Sequence, residues 1–292
     1  MTLSPLLPGA FAPPNAAELA EISRLLREGA GIVIGEGKAS MVQSRLAKRL
    51  RTLGLGDYRS YLALLNTPEG ADERGRMLSA LTTNVTHFFR ENHHFEQLRA
   101  KVLPPLLARA RAGGKVRIWS AGCSSGQEPY SIAMVLCDLA DDIARLDIRI
   151  LATDIDPEMT ALGRAARYDP ASVEPVPVAL ARRFLAHEDH AVTVCEPARG
   201  LVSFRELNLH SNWPMRGGFD VIFCRNVAIY FDKPSQETLW RRFEAALCPG
   251  GWLFLGHSER LPADAPTRLV TAGITSYRLP MAGSGTENPQ CR

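Results

Sequence analysis

The residues best suited to chemistry lie in a glycine-containing turn and at an acid that follows the next apolar run. Gly122 and Gly126 follow the apolar residues 116–121, and Asp154 ends a second run at 148–153. A turn of small residues lets a ligand approach the backbone, and an acid at the end of a neighbouring strand can accept hydrogen bonds from both hydroxyls of a ribose. This pairing predicts a nucleoside-binding site on an α/β sheet.

Glu128 indicates which nucleoside the turn would accept. A dinucleotide-binding turn usually has the pattern G-x-G-x-x-G and places a pyrophosphate on the N-terminus of the next helix. A carboxylate two residues after Gly126 would repel a pyrophosphate, but it suits a ligand that carries an ammonium group and a sulfonium. S-adenosylmethionine carries both. Taken alone, a G-x-x-x-G turn is more often structural, and Asp156 is equally explained as the cap of a helix that begins near Pro157.

From residue 116 onward, apolar runs alternate with amphipathic helical segments. Near-continuous apolar strands separated by helices indicate a parallel sheet that is covered on both faces and binds its ligand at the carboxyl ends of its strands. The predicted strands are residues 116–121, 148–153, 219–224 and 251–257, and the predicted helices are residues 128–141, 157–166 and 234–247.

Two later segments depart from this alternation. Residues 168–206 contain four prolines and two short β-like runs, 191–195 and 201–205, which suit a small antiparallel insertion better than another crossover unit. Residues 267–272 and 274–279 could pair as a final antiparallel hairpin. The fold class expected for this part of the chain is therefore α/β with a small inserted β-subdomain.

Helical periodicity dominates the chain before the first predicted strand. Asn15 and Glu18 have the spacing of a capping box, and they open a helix that ends near Gly29. A second helix is predicted over residues 38–53, with Gly54 as its C-terminal stop. Shorter helices follow near residues 57–66 and 69–80, which makes this part all-helical.

These patterns predict two domains with loose ends. The first 14 residues are rich in chain breakers, and the last 12 are polar and contain glycine. The expected division is a mobile leader at 1–14, a helical N-terminal domain at 15–90, an α/β domain at 91–280 with its insertion at about 168–206, and a loose tail at 281–292.

Positive charge is concentrated in the helical part. Residues 24–59 contain eight Lys or Arg residues and three acids, whereas the net charge of the whole chain is only +3. One side of the predicted second helix carries Lys38, Arg45, Lys48 and Arg49. Base rates favour an ordinary solvated face for such a stripe. A docking surface for an acidic partner is the alternative.

Composition excludes several classes of function. No apolar stretch is long enough to cross a bilayer, and the N-terminus lacks a secretory signal, so we expect a cytoplasmic protein. The six cysteines have no metal-ligand spacing and are expected to be reduced. The small net charge argues against bulk binding to nucleic acid. His87, His93 and His94 lack an evident third ligand, so we predict no metal site.

Five motifs occur in a fixed order along the chain. They are residues 81–91 (LTTNVTHFFRE), 126–131 (GQEPYS), 152–156 (ATDID), 219–231 (FDVIFCRNVAIYF) and 256–259 (GHSE). Over about residues 15–280 the chain resembles the CheR family, the methyltransferases that esterify glutamate side chains of bacterial chemoreceptors. The resemblance implies a Rossmann-like S-adenosylmethionine methyltransferase sheet, an all-helical N-terminal domain and a small antiparallel β-subdomain insertion.

The resemblance also implies roles for individual residues. Glu128 would hold the amino group of the cofactor, Asp154 the ribose, and Asn208 with Leu209 the adenine side. The catalytic residues would be Arg90, Arg225 and Tyr230, with Tyr230 lining the substrate channel. The implied contacts of S-adenosylmethionine and its product S-adenosylhomocysteine are Asn84, Thr86, Arg90, Gly122, Glu128, Asp154, Asn208, Leu209, Arg225 and Asn226.

Partners follow from the same resemblance. The basic side formed by Lys38, Arg45, Lys48 and Arg49 becomes a predicted docking surface for the acidic cytoplasmic methylation helices of chemoreceptors. Some CheR-type proteins also bind a peptide at the receptor C-terminus, with a glycine-rich loop in the β-subdomain. Residues 184–192 contain no glycine, so we expect recognition without that peptide. A monomer is expected, without nucleic acid or direct membrane insertion.

Two other functions compete with this interpretation. Methylation of a base or an amine would need a polar clamp such as N-P-P-Y after the fourth strand, whereas residues 224–227 are C-R-N-V. A non-catalytic signalling adaptor that binds S-adenosylmethionine is the second alternative. The presence of Asn84, Arg90, Glu128, Asp154 and Asn226 counts against loss of catalysis.

Overall fold

The structure is a computed structural model that describes residues 11–216, 218–262 and 265–281. Most of the expected leader and nearly all of the expected tail therefore lie outside the described residues. The chain divides into two compact units, Met1–Thr83 with Tyr230–Asp232, and Asn84–Ile229 with Lys233–Arg292. The boundary after Thr83 lies earlier in the chain than the expected boundary at residue 90.

The described part of the first unit contains four α-helices, as the periodicity predicts. Both hydrogen bonds of the predicted capping box are present, between Asn15 and Glu18, and Gly31 and Gly54 adopt left-handed conformations that end the first two helices. Apolar side chains of all four helices are buried, among them Leu26, Leu46, Tyr61 and Met77. In chain order the helices are α1 Ala16–Ala30, α2 Ala39–Leu53, α3 Tyr58–Leu65 and α4 Ala71–Leu81.

The second unit alternates strands and helices after two opening helices. A π-helical stretch, Leu98–Val102, joins these two opening helices. In chain order the elements are α5 His93–Gln97, α6 Leu103–Arg111, β1 Val116–Ala121, α7 Gln127–Leu139, β2 Ile148–Asp154, α8 Pro157–Ala165, β3 Arg167–Tyr168, α9 Val178–Phe184, β4 Leu185–Glu188, β5 Ala191–Val194, β6 Val202–Glu206, β7 Phe219–Cys224, α10 Lys233–Ala246, β8 Leu247–Leu255, β9 Val270–Gly273 and β10 Ser276–Arg278.

The main sheet has seven strands in the order β6-β2-β1-β7-β8-β10-β9. The first five of these pair in parallel, and β10 is antiparallel to both β8 and β9. The predicted parallel sheet and the final hairpin are therefore confirmed. The carboxyl ends of β1, β2, β7 and β8 lie at one edge of the sheet, which is where ligands of such sheets bind.

One strand assignment from the sequence is wrong. Residues 201–205 were expected in the antiparallel insertion, but β6 joins the main sheet in parallel with β2. The small sheet instead consists of β3, β5 and β4 in antiparallel order. Of the two predicted β-like runs, only the one near residues 191–195 belongs to the insertion.

The core of the second unit fixes the strands that carry the site. Trp119 of β1 is fully buried, and its indole N–H donates to Thr153 Oγ1 at 2.9 Å, which ties β1 to β2. Phe223 of β7 stacks on Phe254 of β8 with 4.5 Å between ring centroids. None of the described helices has the length and apolar composition that a membrane span requires.

Candidate functional site

The turn after β1 is held against the end of β2. The amides of Gly122 and Cys123 both donate to the carbonyl of Thr153, at 2.7 and 2.9 Å. Gly122 has a φ of +81°, and a Cβ at this position would lie 2.3 Å from Cγ2 of Val227. The backbone conformation and the close approach both require glycine, so the predicted role of Gly122 in forming a tight turn has a physical basis.

Asp154 lies at the end of β2, beside this turn. Its Oδ2 accepts a hydrogen bond from the amide of Ser124 at 2.7 Å, and its Oδ1 accepts one from the amide of Asp156 at 3.0 Å. A carboxylate oxygen can accept two hydrogen bonds, so each oxygen retains capacity for a ligand. Asp154 is only 8% exposed, and burial raises its pKa although both backbone N–H groups act to lower it.

The segment at residues 84–90 begins at the same turn. The side-chain amide of Asn84 donates to Asp156 Oδ2 at 2.8 Å, and the hydroxyl of Ser124 donates to the Asn84 carbonyl at 2.8 Å. Asp156 also caps α8 through the amide of Glu158, as predicted. Thr86, further along the segment, is half-buried. The structure thus brings Asn84 next to the turn that carries Ser124 and next to the helix cap Asp156, while its predicted contact with the cofactor stays a prediction.

Arg225 forms the centre of a buried charge cluster with Glu128 and Glu91. Its side chain is only 2% exposed, and its guanidinium nitrogens lie 3.3 Å from Glu128 Oε2 and 3.2 Å from Glu91 Oε2. The guanidinium also donates to the carbonyl of Arg90. Glu128 accepts a further hydrogen bond from the hydroxyl of Ser120 at 2.7 Å. Arg225 therefore joins a predicted cofactor ligand to the 90–91 segment.

The two carboxylates of this cluster differ in how easily they take up a proton. Burial raises the pKa of Glu128, although the charge of Arg225 and the hydrogen bond from Ser120 act against it. Burial also acts to raise the pKa of Glu91, but the Arg225 charge and hydrogen bonds from His257 outweigh it and lower this pKa to about 2. Glu91 is consequently ionised at neutral pH and is a fixed partner of Arg225.

The two arginines predicted to be catalytic differ in their availability. Arg225 is occupied by Glu91, Glu128 and a carbonyl group. Arg90 is half-buried, and its guanidinium donates to the Val85 carbonyl at 3.0 Å, which leaves most of its donors for a ligand. Glu91 pairs with Arg225 and not with Arg90, so the hypothesis of a structural Arg90–Glu91 pair is wrong.

Glu259 holds the backbone at this edge of the sheet, a role that the sequence did not predict. Its Oε1 accepts hydrogen bonds from the amides of Val227 and Ile229 at 2.9 and 3.2 Å, and its Oε2 accepts from those of Asn226 and Gly256 at 2.7 and 2.6 Å. These bonds hold Asn226 in a left-handed conformation at the end of β7, with a φ of 60°. The sequence indicated Glu259 only as the acid of the GHSE motif at residues 256–259, in a glycine turn near the fourth predicted strand.

Asn208 and Leu209 follow β6, the neighbour of β2. The amide of Leu207 donates to the Asp154 carbonyl at 2.8 Å, so this loop starts beside Asp154. The side-chain oxygen of Asn208 accepts from the amide of His210 at 2.9 Å, and Leu209 is buried. Contact of these two residues with adenine stays a prediction.

Tyr230 belongs to the first unit and not to the unit that carries the other site residues. Its backbone carbonyl accepts a hydrogen bond from the amide of Val33 at 2.9 Å. Its side chain is half-buried. The predicted role of Tyr230 in a substrate channel therefore rests on the motif alone.

The predicted docking residues fall into two classes within the first unit. Arg45 donates to the carbonyls of Leu81 and Thr82, each at 2.7 Å. Arg49 pairs with the buried carboxylate of Glu73, whose side chain is 4% exposed. Both arginines stabilise the unit itself. The exposed cations of the set are Lys38 and Lys48.

The histidines near the cluster have a third potential metal ligand after all. Glu91, His93 and His94 each offer one atom, and these atoms lie within 4.8 Å of one another. The expectation that the histidines lack such a neighbour is wrong. Arg225, whose guanidinium lies 3.2 Å from Glu91, nevertheless opposes the binding of a further cation at this point.

Comparison with known proteins decides the family. Residues 84–278 match the family described as "CheR methyltransferase, SAM binding domain", and residues 17–82 match "CheR methyltransferase, all-alpha domain". The chain belongs to the CheR methyltransferase family. The first matched range covers most of the unit that carries Gly122, Asp154 and Arg225, and the second covers α1 to α4.

Curated relatives agree with this assignment over most of their length. The "Probable chemotaxis protein methyltransferase" of Rhizobium etli is 49% identical over 265 residues, covering 89% of this chain and 99% of that protein. The "Chemotaxis protein methyltransferase" of Escherichia coli is 41% identical over 271 residues, covering 90% of this chain and 91% of that protein. The Klebsiella aerogenes protein of the same description is 42% identical over 253 residues, covering 85% of this chain and 84% of that protein.

S-adenosylmethionine is the cofactor of this CheR-family chain, and the donor set of the site fits it. Asp154 keeps acceptor capacity for two ribose hydroxyls. Glu128 supplies a buried carboxylate that a positively charged amino group can neutralise. Gly122 keeps the turn beside these two carboxylates tight, because a Cβ there would lie 2.3 Å from Cγ2 of Val227. The chain is thus an S-adenosylmethionine-dependent methyltransferase of chemotaxis.

Proposed function

We propose that the protein esterifies glutamate side chains on the cytoplasmic methylation helices of bacterial chemoreceptors. The observation that supports this acceptor best is Arg90, a half-buried cation with free donors on the segment that begins at the Asp154 turn. A guanidinium attracts a carboxylate and repels a protonated amine. Arg90 therefore favours an anionic acceptor over a lysine side chain.

A glutamate acceptor needs little chemical help from the protein. Its reference pKa is about 4.3, so it is ionised at neutral pH and requires no general base. When bound, S-adenosylmethionine supplies a sulfonium methyl group that moves to a carboxylate oxygen by in-line displacement and leaves a thioether and an ester. Positive and negative charge are neutralised in this step, so the work of the protein is alignment and exclusion of water.

Each side chain of the site has a task in that alignment. Asp154 holds the ribose and Glu128 the amino group, while Glu259 fixes the turn that carries Asn226. Arg90 contacts one oxygen of the acceptor carboxylate, because a bidentate pair would weaken the nucleophile. Orientation of this kind can contribute roughly 7–11 kcal/mol when near-attack geometry is held.

Receptor recognition is assigned to the basic side of α2. Lys38 and Lys48 are exposed and can attract an acidic helix, whereas Arg45 and Arg49 hold that surface in place through their contacts with α4 and the residues after it. We infer that a receptor C-terminal peptide is not required, because the β4–β5 connection lacks the glycine-rich loop. A cytoplasmic monomer is sufficient for this reaction.

The test is methyl transfer from radiolabelled S-adenosylmethionine to a purified receptor cytoplasmic fragment. We expect label that is released as methanol in mild alkali, because carboxyl esters hydrolyse there and methylated amines do not. Alkali-stable label would indicate amine methylation. Binding of S-adenosylhomocysteine without any transfer would favour the alternative, a non-catalytic signalling adaptor.

Arg90→Gln sharpens this test. We expect kcat to fall about 100-fold while affinity for S-adenosylhomocysteine changes much less, because the lost contact is made to the acceptor. Arg182→Gln is the matched control, since Arg182 is exposed on α9 and makes no hydrogen bond or ion pair with a described residue. An Arg90→Gln variant with unchanged kcat would remove Arg90 from the mechanism.

A further inference from the structure

Tyr168 links the inserted β-subdomain to the turn after β1. It lies in β3, opposite Val192 of β5, and its hydroxyl donates to the carbonyl of Ser125 at 2.8 Å. Tyr168 is only 7% exposed, and burial raises the pKa of its hydroxyl well above the ordinary value, so this group keeps its proton and acts as a donor. A side chain of the small sheet is therefore bound to the backbone of the turn that borders Asp154.

The turn needs support because three of its residues have left-handed backbone conformations. The φ angles are +81° at Gly122, +48° at Ser124 and +97° at Gly126. For Ser124 this conformation costs free energy, and it persists only where the surrounding structure imposes it. The contacts on either side of Ser124 therefore decide how firmly the turn is held.

The two halves of the turn are held by different parts of the second unit. The first two residues of the turn donate their amides to the carbonyl of Thr153 in β2. Tyr168 binds the carbonyl of Ser125 in the second half, which also packs closely on this side chain. A Cβ on Gly126 would lie 2.9 Å from the Tyr168 hydroxyl oxygen. Tyr168 thus restrains Ser125 and Gly126, as Thr153 restrains the residues before them.

Ser124 lies between these halves and connects them to the predicted ribose ligand. Its amide donates to Asp154 Oδ2 at 2.7 Å, and its hydroxyl donates to the carbonyl of Asn84 at 2.8 Å. Because peptide groups are rigid, a displacement of Ser125 is transmitted to Ser124 and to the N–H that orients Asp154. Tyr168 can therefore act on Asp154 without touching it.

Tyr168 also contacts the second segment that the family motif assigns to the cofactor. Its ring meets that of Phe88 edge-on, with 5.1 Å between centroids and 79° between planes. Phe88 is fully buried and lies in the 84–90 segment, between Asn84 and Arg90. One side chain of the insertion thus packs against both stretches of chain from which these predicted cofactor ligands come.

We propose that Tyr168 is a positioning residue for S-adenosylmethionine, through which the inserted β-subdomain holds the turn after β1 in its binding conformation. The proposal rests on the placement of the cofactor between this turn and Asp154, and it does not depend on which acceptor is methylated. Loss of the Tyr168 hydroxyl therefore weakens cofactor binding and leaves recognition of the acceptor unchanged.

Tyr168→Phe and Tyr130→Phe form a matched pair for the test. Each change keeps a buried ring and removes one hydroxyl that donates to a backbone carbonyl at 2.8 Å, in the turn for Tyr168 and at Gly163 of α8 for Tyr130. Calorimetric titration with S-adenosylhomocysteine should show a dissociation constant about fivefold higher in Tyr168→Phe and less than about twofold higher in Tyr130→Phe, because only the first hydrogen bond restrains the turn. The midpoint of urea unfolding should fall by similar amounts in both variants.

Steady-state kinetics with a receptor cytoplasmic fragment supply a second measurement. In Tyr168→Phe the KM for S-adenosylmethionine should rise about fivefold, while the KM for the receptor fragment stays at the wild-type value. A purely structural role of Tyr168 would not separate these two constants. Equal losses of cofactor affinity in the two phenylalanine variants, or an unchanged affinity in Tyr168→Phe, would overturn the proposal.

Asp154→Asn, titrated beside these variants, separates the role of Tyr168 from the placement of the cofactor. Wild-type affinity in Asp154→Asn would overturn both. Weaker binding by Asp154→Asn together with wild-type affinity in Tyr168→Phe would overturn only the role of Tyr168. If Asp154→Asn and Tyr168→Phe both bind S-adenosylhomocysteine less tightly but the wild-type protein transfers no methyl group to a receptor, the role of Tyr168 stands and the proposed esterification fails.

Discussion

Two buried acids at the carboxyl edge of the main sheet differ in how much of their hydrogen-bonding capacity the fold uses. Asp154 accepts two backbone hydrogen bonds, whereas Glu259 accepts four. Their exposures are similar, 8% and 4%. An acid with unused acceptor positions can bind a ligand, and one saturated by amides fixes the backbone. Saturation, and not burial, separates the two roles.

The largest effect on stability is expected from Glu259→Ala. This change leaves four backbone N–H groups without their acceptor, and each buried unsatisfied group costs about 1–3 kcal/mol before relaxation. We expect the free energy of unfolding to fall by about 4 kcal/mol, and by about half as much for Glu259→Gln, which keeps one oxygen. Urea denaturation followed by circular dichroism measures both. A loss below about 1 kcal/mol for the alanine variant would show that Glu259 does not hold the turn.

Asp154→Asn should act mainly on the ligand. A hydrogen bond to a charged group contributes about 1.5–3 kcal/mol, so we expect affinity for S-adenosylhomocysteine to fall about 30-fold. The free energy of unfolding should fall less than in Glu259→Gln, because Asp154 holds two backbone amides and not four. Equilibrium dialysis and urea denaturation on both variants test this. If Asp154→Asn and Glu259→Gln lose affinity for S-adenosylhomocysteine and free energy of unfolding to the same extent, the two acids do not have different roles.

His94 is a third buried ionisable residue, and unlike the two acids it is neutral in the folded protein at neutral pH. Burial, together with the charge of Arg225, lowers its pKa from 6.5 to about 4. The unfolded chain therefore takes up a proton between these two pH values while the folded chain does not, so stability is complete above about pH 6.5 and is lost as the pH falls towards 4. Relative to His94→Gln, the wild-type protein should lose up to about 3 kcal/mol over this range. If the free energy of unfolding of the wild-type protein and of His94→Gln changes with pH in the same way, His94 is not the buried neutral group.

The smallest effect is expected at the docking surface. Lys48→Glu should raise KM for a receptor fragment about threefold, more at low salt, and leave the affinity for S-adenosylhomocysteine unchanged. Arg59→Glu on α3 is the control, since it makes the same charge change in the same unit. Arg49 is unsuitable for this test because its removal takes the nearer of two arginine partners from the buried Glu73 and leaves only Arg76, at 3.7 Å. Equal effects of the Lys48 and Arg59 variants on KM would indicate nonspecific attraction.

Much of the fold could be predicted because its determinants are local. The bounds of β1 and β7 agree with the predicted runs, since apolar residues there are bounded by glycine or polar residues. The cap of α1 and the glycine stop of α2 depend on spacings of a few residues. By contrast, the sequence analysis places β6 in the wrong sheet, because the residues of a short apolar strand do not specify which strand it pairs with. It does not predict β3, because a strand of only two residues has no recognisable pattern.

The positions of several candidate site residues could also be predicted, although their contacts with a ligand stay predictions. The sequence indicated Gly122 and Asp154 as candidate site residues because each follows a predicted strand. It indicated Arg225 because that residue belongs to a recognisable motif. The role of Glu259 was missed because three of the four amides that it binds lie about 30 residues earlier in the chain. Arg45 and Arg49 were assigned together with Lys48 because helical periodicity gives a face but not the partners on α4.

Titration calorimetry with S-adenosylhomocysteine tests the central claim most directly, with the wild-type protein, Asp154→Asn and Glu259→Gln measured side by side. We expect one site per chain in the wild-type protein, a large loss of affinity in Asp154→Asn, and a smaller loss in folded Glu259→Gln. Absence of binding to the wild-type protein, or an Asp154→Asn variant that binds as tightly as wild type, would contradict the placement of the methyl donor between the Gly122 turn and Asp154.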